Sequence, residues 1–548
     1  MSLKAKNDFI FKKHMSIGDV DAENDGKFLR ECFIDNGDLD VIEDTESPQS
    51  IIVGRTGVGK SALVEQLLYS ANNVISIEPE ELALKHISNS SILQFFEDLG
   101  VNLDVFYNLL WQHTFAVELI KFKYSITNIA ESKSFLTQIS QLIIGDKKKK
   151  QALNYLEEWG DKFWVSTELR IKEFTEKVES SLSAGLKAKW NSLDFSLGAK
   201  NNLTEEQRSE LIHYGKTVVN DTQIQKLSKI INLLSEDVFN DPQNKVYIVI
   251  DRLDENWVDD ELRYKLIRAL IETIKKFRKI EPVKIVITLR TDLLDRVLEK
   301  TRDSGFQLEK YRNLFLKVGW NRAQLQQLLD KRINFLLKHK YTNSEVCFSD
   351  IFPNTIEKIT SIDYVLDRTL LRPRDSISFV NTCLTEAQGK SEITGSTIKN
   401  AEQDYSKERR ESLEYEWFVE HSQLSTYIDI LHDKRKSFKV SEIDSDILEV
   451  LILQLSGLSL LYEDNIIQNA KQYMKSDYPL TVTIMTKFKK NLLFSLYKVG
   501  AIGIKINGKS SVKWIHDKTQ DLTPQKIDDT SVIYIHKILW RNLAVDSR

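Results

Sequence analysis

The sequence predicts a mixed α/β protein in which helices cover a parallel β-sheet. Five short apolar segments, separated by stretches with helical spacing, predict the strands at residues 51–53, 74–77, 246–250, 283–289 and 314–318. The first strand runs into a glycine-rich loop and then into a helical pattern. The third strand ends in a group of acidic residues. These observations together predict an α/β core that binds a phosphorylated ligand.

The glycine-rich loop has the spacing of a phosphate-binding loop. Residues 54–61 read Gly-Arg-Thr-Gly-Val-Gly-Lys-Ser, and the glycines let backbone N–H groups turn towards a β-phosphate. Lys60 is predicted to reach the β- and γ-phosphates, and Ser61 to place its hydroxyl on Mg²⁺. The alternative is a glycine-rich turn that ends in Lys-Ser by chance, and the flanking strand and helix argue against it. The predicted phosphate-contacting residues are Gly54, Arg55, Thr56, Gly57, Val58, Gly59, Lys60, Ser61 and Ala62.

The third strand is followed by Asp251-Arg252-Leu253-Asp254-Glu255. A strand that ends in aspartate beside a phosphate-binding loop carries a carboxylate to the magnesium shell, so we assign Asp251 to Mg²⁺. Asp254 and Glu255 are the candidates for orienting the attacking water, and Glu255 is the first choice by position. The alternative is that these acids only cap the next helix, as residues 259–261 are expected to do.

Several arginines are candidates for contact with the γ-phosphate. Arg290 ends the fourth strand, which places it either at the nucleotide-binding edge of the sheet or in a surface salt bridge. Arg296 and Arg302 lie on the following helix, where they could reach a neighbouring subunit. Arg372 and Arg374 precede a helix and could contact the nucleotide from a lid. The sequence leaves open which of them does so.

The length of 548 residues predicts three or four domains or subdomains. Residues 182–200 predict a β-hairpin within an otherwise helical insertion. The lysine run at 147–150 is either a solvated loop or a nucleic-acid contact. The predicted parts are a lead segment (1–48), the phosphate-loop half of the core (49–89), the helical insertion (90–235), the second half of the core (236–320), a helical lid (321–405), and a linker helix with a winged-helix-like domain (406–548).

The winged-helix prediction comes from the C-terminal pattern. An amphipathic helix at 483–497 precedes alternating segments at 501–506 and 511–515, which flank Asn507-Gly508, a strong hairpin signal. A last helix is predicted at 532–543. Asp375 is predicted to cap the helix at 376–388.

Composition restricts the class of protein. With 41% apolar and 28% charged residues, the chain is predicted to be a soluble globular protein. The net charge of −4 argues against wholesale wrapping by nucleic acid. Cys32, Cys347 and Cys383 are expected to be buried apolar residues in a reducing compartment. The sequence has no apolar run of 18 residues and no signal-peptide pattern, so we expect a cytoplasmic protein without a membrane partner.

The phosphate-binding loop, the Asp251–Glu255 segment, the strand ending in Arg290, the Val318-Gly319-Trp320 turn and Arg372-Pro373-Arg374-Asp375 together resemble the bacterial P-loop ATPases related to the KAP and STAND groups, which are relatives of AAA+ proteins. The chain departs from the STAND pattern at Arg252, where that group has a small residue. The resemblance covers roughly residues 10–90 and 245–390.

The resemblance implies an AAA+-like, ATP- and Mg²⁺-dependent switch that forms homo-oligomers, or controls a protein effector, in bacterial defence against phage. The chain carries no effector motif that we recognise. Two alternatives are an ATP-gated DNA-binding protein that acts through the winged helix, and a scaffold that binds ATP without hydrolysing it.

Overall fold

The computed structural model describes residues 10–79, 103–126, 147–159, 223–255, 257–258, 260–302, 306–338, 341–459, 464–475, 482–516 and 522–546. The chain divides into two compact units. The first comprises Met1–Ile34, Thr56–Gly59 and Gly319–Arg548. The second comprises Asp35–Arg55 and Lys60–Val318.

The helices of the described residues are numbered here in chain order. They are α1 (Gly26–Cys32), α2 (Asp38–Glu43), α3 (Lys60–Ser70), α4 (Asp104–Tyr124), α5 (Lys147–Trp159), α6 (Gln223–Leu233), α7 (Asp260–Phe277), α8 (Thr291–Lys300), α9 (Arg322–Leu337), α10 (Phe348–Ile351), α11 (Ser361–Leu366), α12 (Pro373–Glu386), α13 (Gly395–Glu416), α14 (Leu424–Asp429), α15 (Ser445–Ser456), α16 (Asn465–Lys475) and α17 (Val482–Val499).

The strands of the described residues form three sheets. They are β1 (Ile51–Gly54), β2 (Val74–Ser76), β3 (Val246–Ile250), β4 (Val283–Arg290), β5 (Phe315–Lys317), β6 (Thr355–Ile356), β7 (Ile359–Thr360), β8 (Ser437–Lys439), β9 (Ile502–Lys505) and β10 (Val532–Ile535).

The second unit is built on a five-stranded parallel sheet, and this confirms the predicted α/β core. Its strand order is β2-β3-β4-β1-β5. Every residue of β1 and β3 is buried, as expected for a sheet with both faces covered. The register pairs Gly54 with Arg290, and Ile250 with Ile287. The carboxyl ends of β1, β3 and β4 therefore lie side by side.

Helices α4 and α7 supply much of the core of this unit. Trp111 of α4 is fully buried and donates from Nε1 to the carbonyl of Leu266 in α7 at 2.9 Å. The described parts of the predicted insertion, α4, α5 and α6, are helical, as expected. The lysine run at 147–150 begins α5, so its prediction as a loop is wrong. The predicted hairpin at 182–200 lies outside the described residues.

A buried lysine ties α2 to the sheet. Lys284 of β4 is 3% exposed and donates from Nζ to the carbonyls of Val41 and Asp44, both at 2.6 Å. Burial lowers the pKa of this ammonium group to about 8. The hydroxyl of Tyr247 in β3 donates to the carbonyl of Glu43 at 2.6 Å, so two strands hold the end of the same helix.

Helix α9 of the first unit has an apolar stripe that faces the core. Leu325, Leu329 and Ile333 of α9 are all fully buried. Asn321 and Gln324 form a capping box at the start of α9. The prediction that Asp375 caps the following helix is wrong. Helix α12 begins at Pro373, where proline is favoured because its missing N–H is not needed, and Asp375 lies inside the first turn.

The C-terminal part of this unit contains the three-stranded antiparallel sheet β8-β10-β9. The predicted hairpin is present only as a bridge between Ile504 and Lys513, because β9 pairs mainly with β10. The predicted last helix at 532–543 is wrong. Residues 532–535 form β10 and a 3-10 turn follows at Lys537–Leu539. The run Val-Ile-Tyr-Ile is rich in β-branched and aromatic residues, which favour a strand.

Cys32 and Cys383 are buried, as expected, but Cys347 is exposed and precedes α10, so its predicted burial is wrong. Across the described ranges, we find no helix that combines the length and the apolar character needed to cross a membrane.

Candidate functional site

The predicted phosphate-binding loop connects β1 to α3. Gly57 and Gly59 have φ angles of +74° and +95°, in the left-handed region that favours glycine. A Cβ atom added to Gly57 would lie 2.9 Å from Cβ of Arg374, so the space beside this residue is also closed. Gly57 is therefore required for two reasons, backbone conformation and close packing, and Gly59 for its backbone conformation.

Lys60 is the first residue of α3 and its ammonium group lies over the end of β1. Its Nζ donates to the carbonyls of Gly54 and Arg55, each at 3.2 Å. Loss of hydration lowers the pKa of Lys60, and the nearby carboxylates of Asp254 and Asp251 act in the opposite direction. The fold thus brings the loop lysine and the acidic segment together. Ser61 and Ala62 follow in the first turn of the helix.

Asp251 comes directly after β3. Its Oδ1 accepts hydrogen bonds from the N–H of Arg252, at 2.9 Å, and from the hydroxyl of Thr288. Arg252 has a φ angle of +59°, which is uncommon for a residue with a side chain. The backbone at this point is therefore strongly bent, and the aspartate is held from two directions.

Thr288 is a site residue that the sequence analysis did not identify. It is 3% exposed in β4, between Ile287, which pairs with Ile250, and Leu289. The available signal was a hydroxyl in an otherwise apolar strand end, two residues before Arg290. Without the strand order, nothing in the sequence placed β4 next to β3.

The structure separates the two candidates for orienting water. Asp254 Oδ2 lies 3.8 Å from Nε of Arg290. Glu255 instead directs Oε1 to within 3.9 Å of Nε of Arg252, and its side chain is 54% exposed. Asp254 also acts to raise the pKa of Lys60, against the larger effect of burial. Asp254 therefore lies beside Arg290, whereas Glu255 lies beside Arg252.

Arg290 combines the two situations that the sequence left open. It ends β4 beside Gly54, and its guanidinium donates from Nη2 to Asp292 at 2.8 Å as well as facing Asp254. Arg296 donates to the hydroxyl of Tyr264 at 3.1 Å, and Arg302 is exposed beyond the end of α8.

No cluster of three or more histidine, cysteine or acidic side chains suited to a metal ion occurs among the described residues. At nucleotide sites Mg²⁺ usually takes one or two protein oxygens and keeps phosphate and water ligands. Ser61 and Asp251 supply oxygens of the right chemistry.

Arg372 is buried within the first unit and binds three groups. Its Nε donates to Asp375 Oδ2 at 3.0 Å and its Nη2 to Oδ1 at 3.1 Å, while Nη1 donates to Glu416 Oε2 at 2.9 Å and to the carbonyl of Thr56 at 3.0 Å. Burial alone would lower the pKa of Arg372, but Asp375 and Glu416 outweigh it and raise that pKa. The guanidinium therefore holds residue 56 of the phosphate-binding loop to α12 and α13.

Two further contacts within the first unit hold the next residues of the loop, Gly57 and Val58. Trp320 donates from Nε1 to the carbonyl of Val58 at 2.8 Å. The N–H of Arg374 lies 3.4 Å from the carbonyl of Gly57, and its Nε lies 3.4 Å from the carbonyl of Val20. The hydroxyl of Thr56 is buried without a hydrogen-bond partner, which fits a loop made to receive a polar ligand.

We predict that Arg372→Met lowers the stability of the protein by about 3 kcal/mol or more, because it removes the cation that pairs with the buried carboxylates of Asp375 and Glu416 and leaves Arg409, at 3.5 Å, as the cation beside Asp375. In the folded protein, burial raises the pKa of Asp375, but the pairing with Arg372 outweighs it and lowers that pKa below 3.8. Its contribution is therefore complete above about pH 5 and is lost as the pH falls through the lowered pKa. Urea unfolding of both proteins between pH 3 and 7 measures this difference.

The matched control is Lys399→Met. Lys399 pairs with Glu357 at 2.7 Å, and both side chains are at least 40% exposed. This change should cost less than about 1 kcal/mol. Equal losses from both variants would show that the Arg372 network does not stabilise the fold.

The comparisons with known proteins match three different extents of the chain. Residues 323–414 match the sequence family "FunZ-associated C-terminal helical domain". The chain is 24% identical over 546 residues to a protein of Escherichia coli (strain K12) named "Putative transposon gamma-delta 80.3 kDa protein", with 98% of this chain and 68% of the relative covered. Among solved structures, a Walker-type ATPase of Pyrococcus abyssi aligns with 88% of this chain and 93% of its own at 13% identity, with a TM-score of 0.35.

Proposed function

We propose that this protein is an ATPase that binds Mg-ATP at residues 54–62 and hydrolyses it. One observation carries the proposal: Lys60, Asp251, Asp254 and Arg290 meet where β1, β3 and β4 end together. Lys60 comes from the glycine-rich loop, the two aspartates follow β3, and Arg290 ends the neighbouring strand β4. Few reactions other than nucleotide hydrolysis need a glycine-rich loop, a lysine and carboxylates in this arrangement.

Each residue has a role that its contacts support. Lys60 exchanges its two carbonyl partners for phosphate oxygens and stabilises their negative charge. Ser61 and Asp251 would hold Mg²⁺, which supplies charge neutralisation on the phosphates, and Thr288 keeps the Asp251 carboxylate in place. Asp254 orients the water that attacks the γ-phosphate as the bond to ADP breaks. Arg290 holds Asp254 in position.

We assign different roles to the two arginines of the predicted lid, Arg372 and Arg374. Because the Arg372 guanidinium is bound to two carboxylates and a carbonyl, we propose that it fixes the loop rather than contacting ATP. Arg374 then remains our proposed lid contact to the nucleotide. Arg296 and Arg302 remain candidates for a contact across subunits.

Phosphate release by the purified full chain tests the enzymatic part of the proposal. We expect release that depends on Mg²⁺ and stops in excess EDTA. A rate equal to the buffer blank in Mg-ATP, together with nucleotide binding measured by calorimetry, would assign the chain to the non-hydrolysing scaffold class. Failure to bind Mg-ATP at all would overturn the proposal.

We propose further that ATP binding drives assembly with other copies or with a protein effector, in the manner of the KAP- and STAND-related switches, and that this assembly serves in defence against phage. The mass of the protein in solution with no nucleotide, with ADP and with a non-hydrolysable ATP analogue tests this. A larger assembly that forms only with the analogue supports a switch. A constant mass in all three conditions contradicts it.

A second candidate is an ATP-gated DNA-binding protein. The C-terminal order helix, strand, three helices and two strands, with β8-β10-β9 pairing, supports a winged helix, and α17 carries Lys487, Lys490 and Lys498. The name of the Escherichia coli relative refers to a transposon, which is a DNA element, and this also favours DNA as the ligand. A duplex that shifts with a strong salt dependence would support this candidate, and no binding at low salt would remove it.

A further inference from the structure

A cavity of about 440 Å³ lies in the first unit, and none of its lining residues belongs to the phosphate-binding loop. It is lined by the end of α11, the residues before α12, and the C-terminal three-stranded sheet. Its volume is within the range of small-molecule binding sites. Three groups of side chains shape it: aromatic rings, cations and a single carboxylate.

The aromatic group is arranged around Trp514. Its ring lies nearly parallel to His516, with centroids 5.9 Å apart and planes at 12°, and edge-on to His536 at 5.0 Å. A Cβ atom on Gly503 would lie 2.7 Å from the Trp514 ring, so only glycine in β9 leaves room for the indole. Tyr534 also lines the cavity. Flat rings of this kind are surfaces on which planar heterocycles stack.

The lining contains three cationic side chains, Arg322, Lys436 and Lys537, and one carboxylate, that of Asp367. Lys537 Nζ contacts Asp367 Oδ2 at 2.6 Å and lies 5.7 Å from the centroid of the Trp540 ring. Arg322 pairs with the same Asp367 and, at 3.0 Å, with Asp363 outside the lining. Lys436 is a third cation in the wall and its side chain is exposed.

This combination selects a class of ligand. A purely apolar ligand would not use the three cations, and an acidic peptide would not need stacked aromatic rings. A planar base that carries phosphate uses both, since the ring stacks and the phosphate meets the lysines. We propose that this cavity binds one nucleotide unit, either a free nucleoside monophosphate or a nucleotide of a single-stranded nucleic acid. The cavity shares no lining residue with the proposed ATPase site, and this proposal does not depend on that site.

Binding is measured with the full chain carrying Lys60→Ala, so that the phosphate-binding loop contributes little. The probes are AMP, GMP, CMP and UMP by calorimetry, and fluorescein-labelled single-stranded DNA and RNA of ten nucleotides and mixed sequence by anisotropy. Lys537→Gln, Lys436→Gln and Trp514→Leu are each expected to weaken binding about tenfold or more. Lys509→Gln removes an exposed lysine of the same C-terminal part that does not line the cavity, and should change affinity less than about twofold.

The outcomes distinguish the two sources and the failure of the idea. Monophosphate binding that the three variants weaken assigns a free nucleotide, and binding of the oligonucleotides alone assigns a single strand. No binding of any probe, or equal losses in Lys509→Gln, overturns the proposal. Thermal melting identifies variants that fail to fold, and Lys436→Gln, at an exposed position, keeps the test decisive. Phosphate release by Lys436→Gln with Lys60 intact should match wild type, so the two sites are judged separately.

Discussion

Replacing Lys60 with alanine is expected to reduce ATP hydrolysis by about 100-fold or more and to weaken ATP binding. Removal of a preorganised donor from a site of developing charge typically costs this much. Lys60 is the first residue of α3, and its ammonium group donates to the carbonyls of Gly54 and Arg55 within the loop. Phosphate release and nucleotide binding by calorimetry measure the two effects.

Lys317→Ala is the matched control. Lys317 is an exposed residue of β5 in the same sheet, and its loss should leave the rate within about twofold of wild type. Unchanged hydrolysis in folded Lys60→Ala protein would contradict the proposed site. Melting temperatures of both variants show whether a lost activity reflects a lost fold.

Asp254→Asn is expected to lower kcat by about 100-fold with little change in KM for ATP, because a residue that orients water acts on the chemical step. Asp254 lies 3.8 Å from Arg290, and its negative charge acts to raise the pKa of Lys60. Glu255→Gln is the paired test, since Glu255 is half exposed and directed to Arg252. We expect it to change kcat by less than about threefold.

The opposite order of effects would contradict the assignment from geometry. A large loss in Glu255→Gln and a small one in Asp254→Asn would show that Glu255 orients the water, as its position in the sequence first suggested. Equal small effects would remove both residues from the catalytic step.

The five strands of the core and the phosphate-binding loop were predictable because their signals are local. A run such as Val-Tyr-Ile-Val-Ile favours a buried strand in any parallel sheet. The glycines and Lys60 of the loop are adjacent in sequence, so their spacing alone indicates a strand, a turn and a helix. Helix α9 was predictable for the same reason, since its apolar residues repeat with helical spacing.

Errors occurred where short segments had more than one reasonable structure. The segment 532–543 contains apolar residues compatible with either a helix or a strand, and pairing with β8 and β9 decides for a strand at 532–535. Asp375 is an acceptable capping residue by type, but the preceding Pro373 begins the helix earlier and Asp375 binds Arg372 instead.

By itself the sequence determined a parallel α/β core, a glycine-rich loop between the first strand and its helix, and acidic residues after the third strand, because each of these is encoded by consecutive residues. Only the tertiary structure decided that Asp254 lies beside Arg290, that Thr288 holds Asp251, and that Arg372 binds Asp375, Glu416 and Thr56. These contacts join residues that are far apart in the chain. Strand order, register and side-chain packing create them, and no local pattern of residue types specifies such pairings.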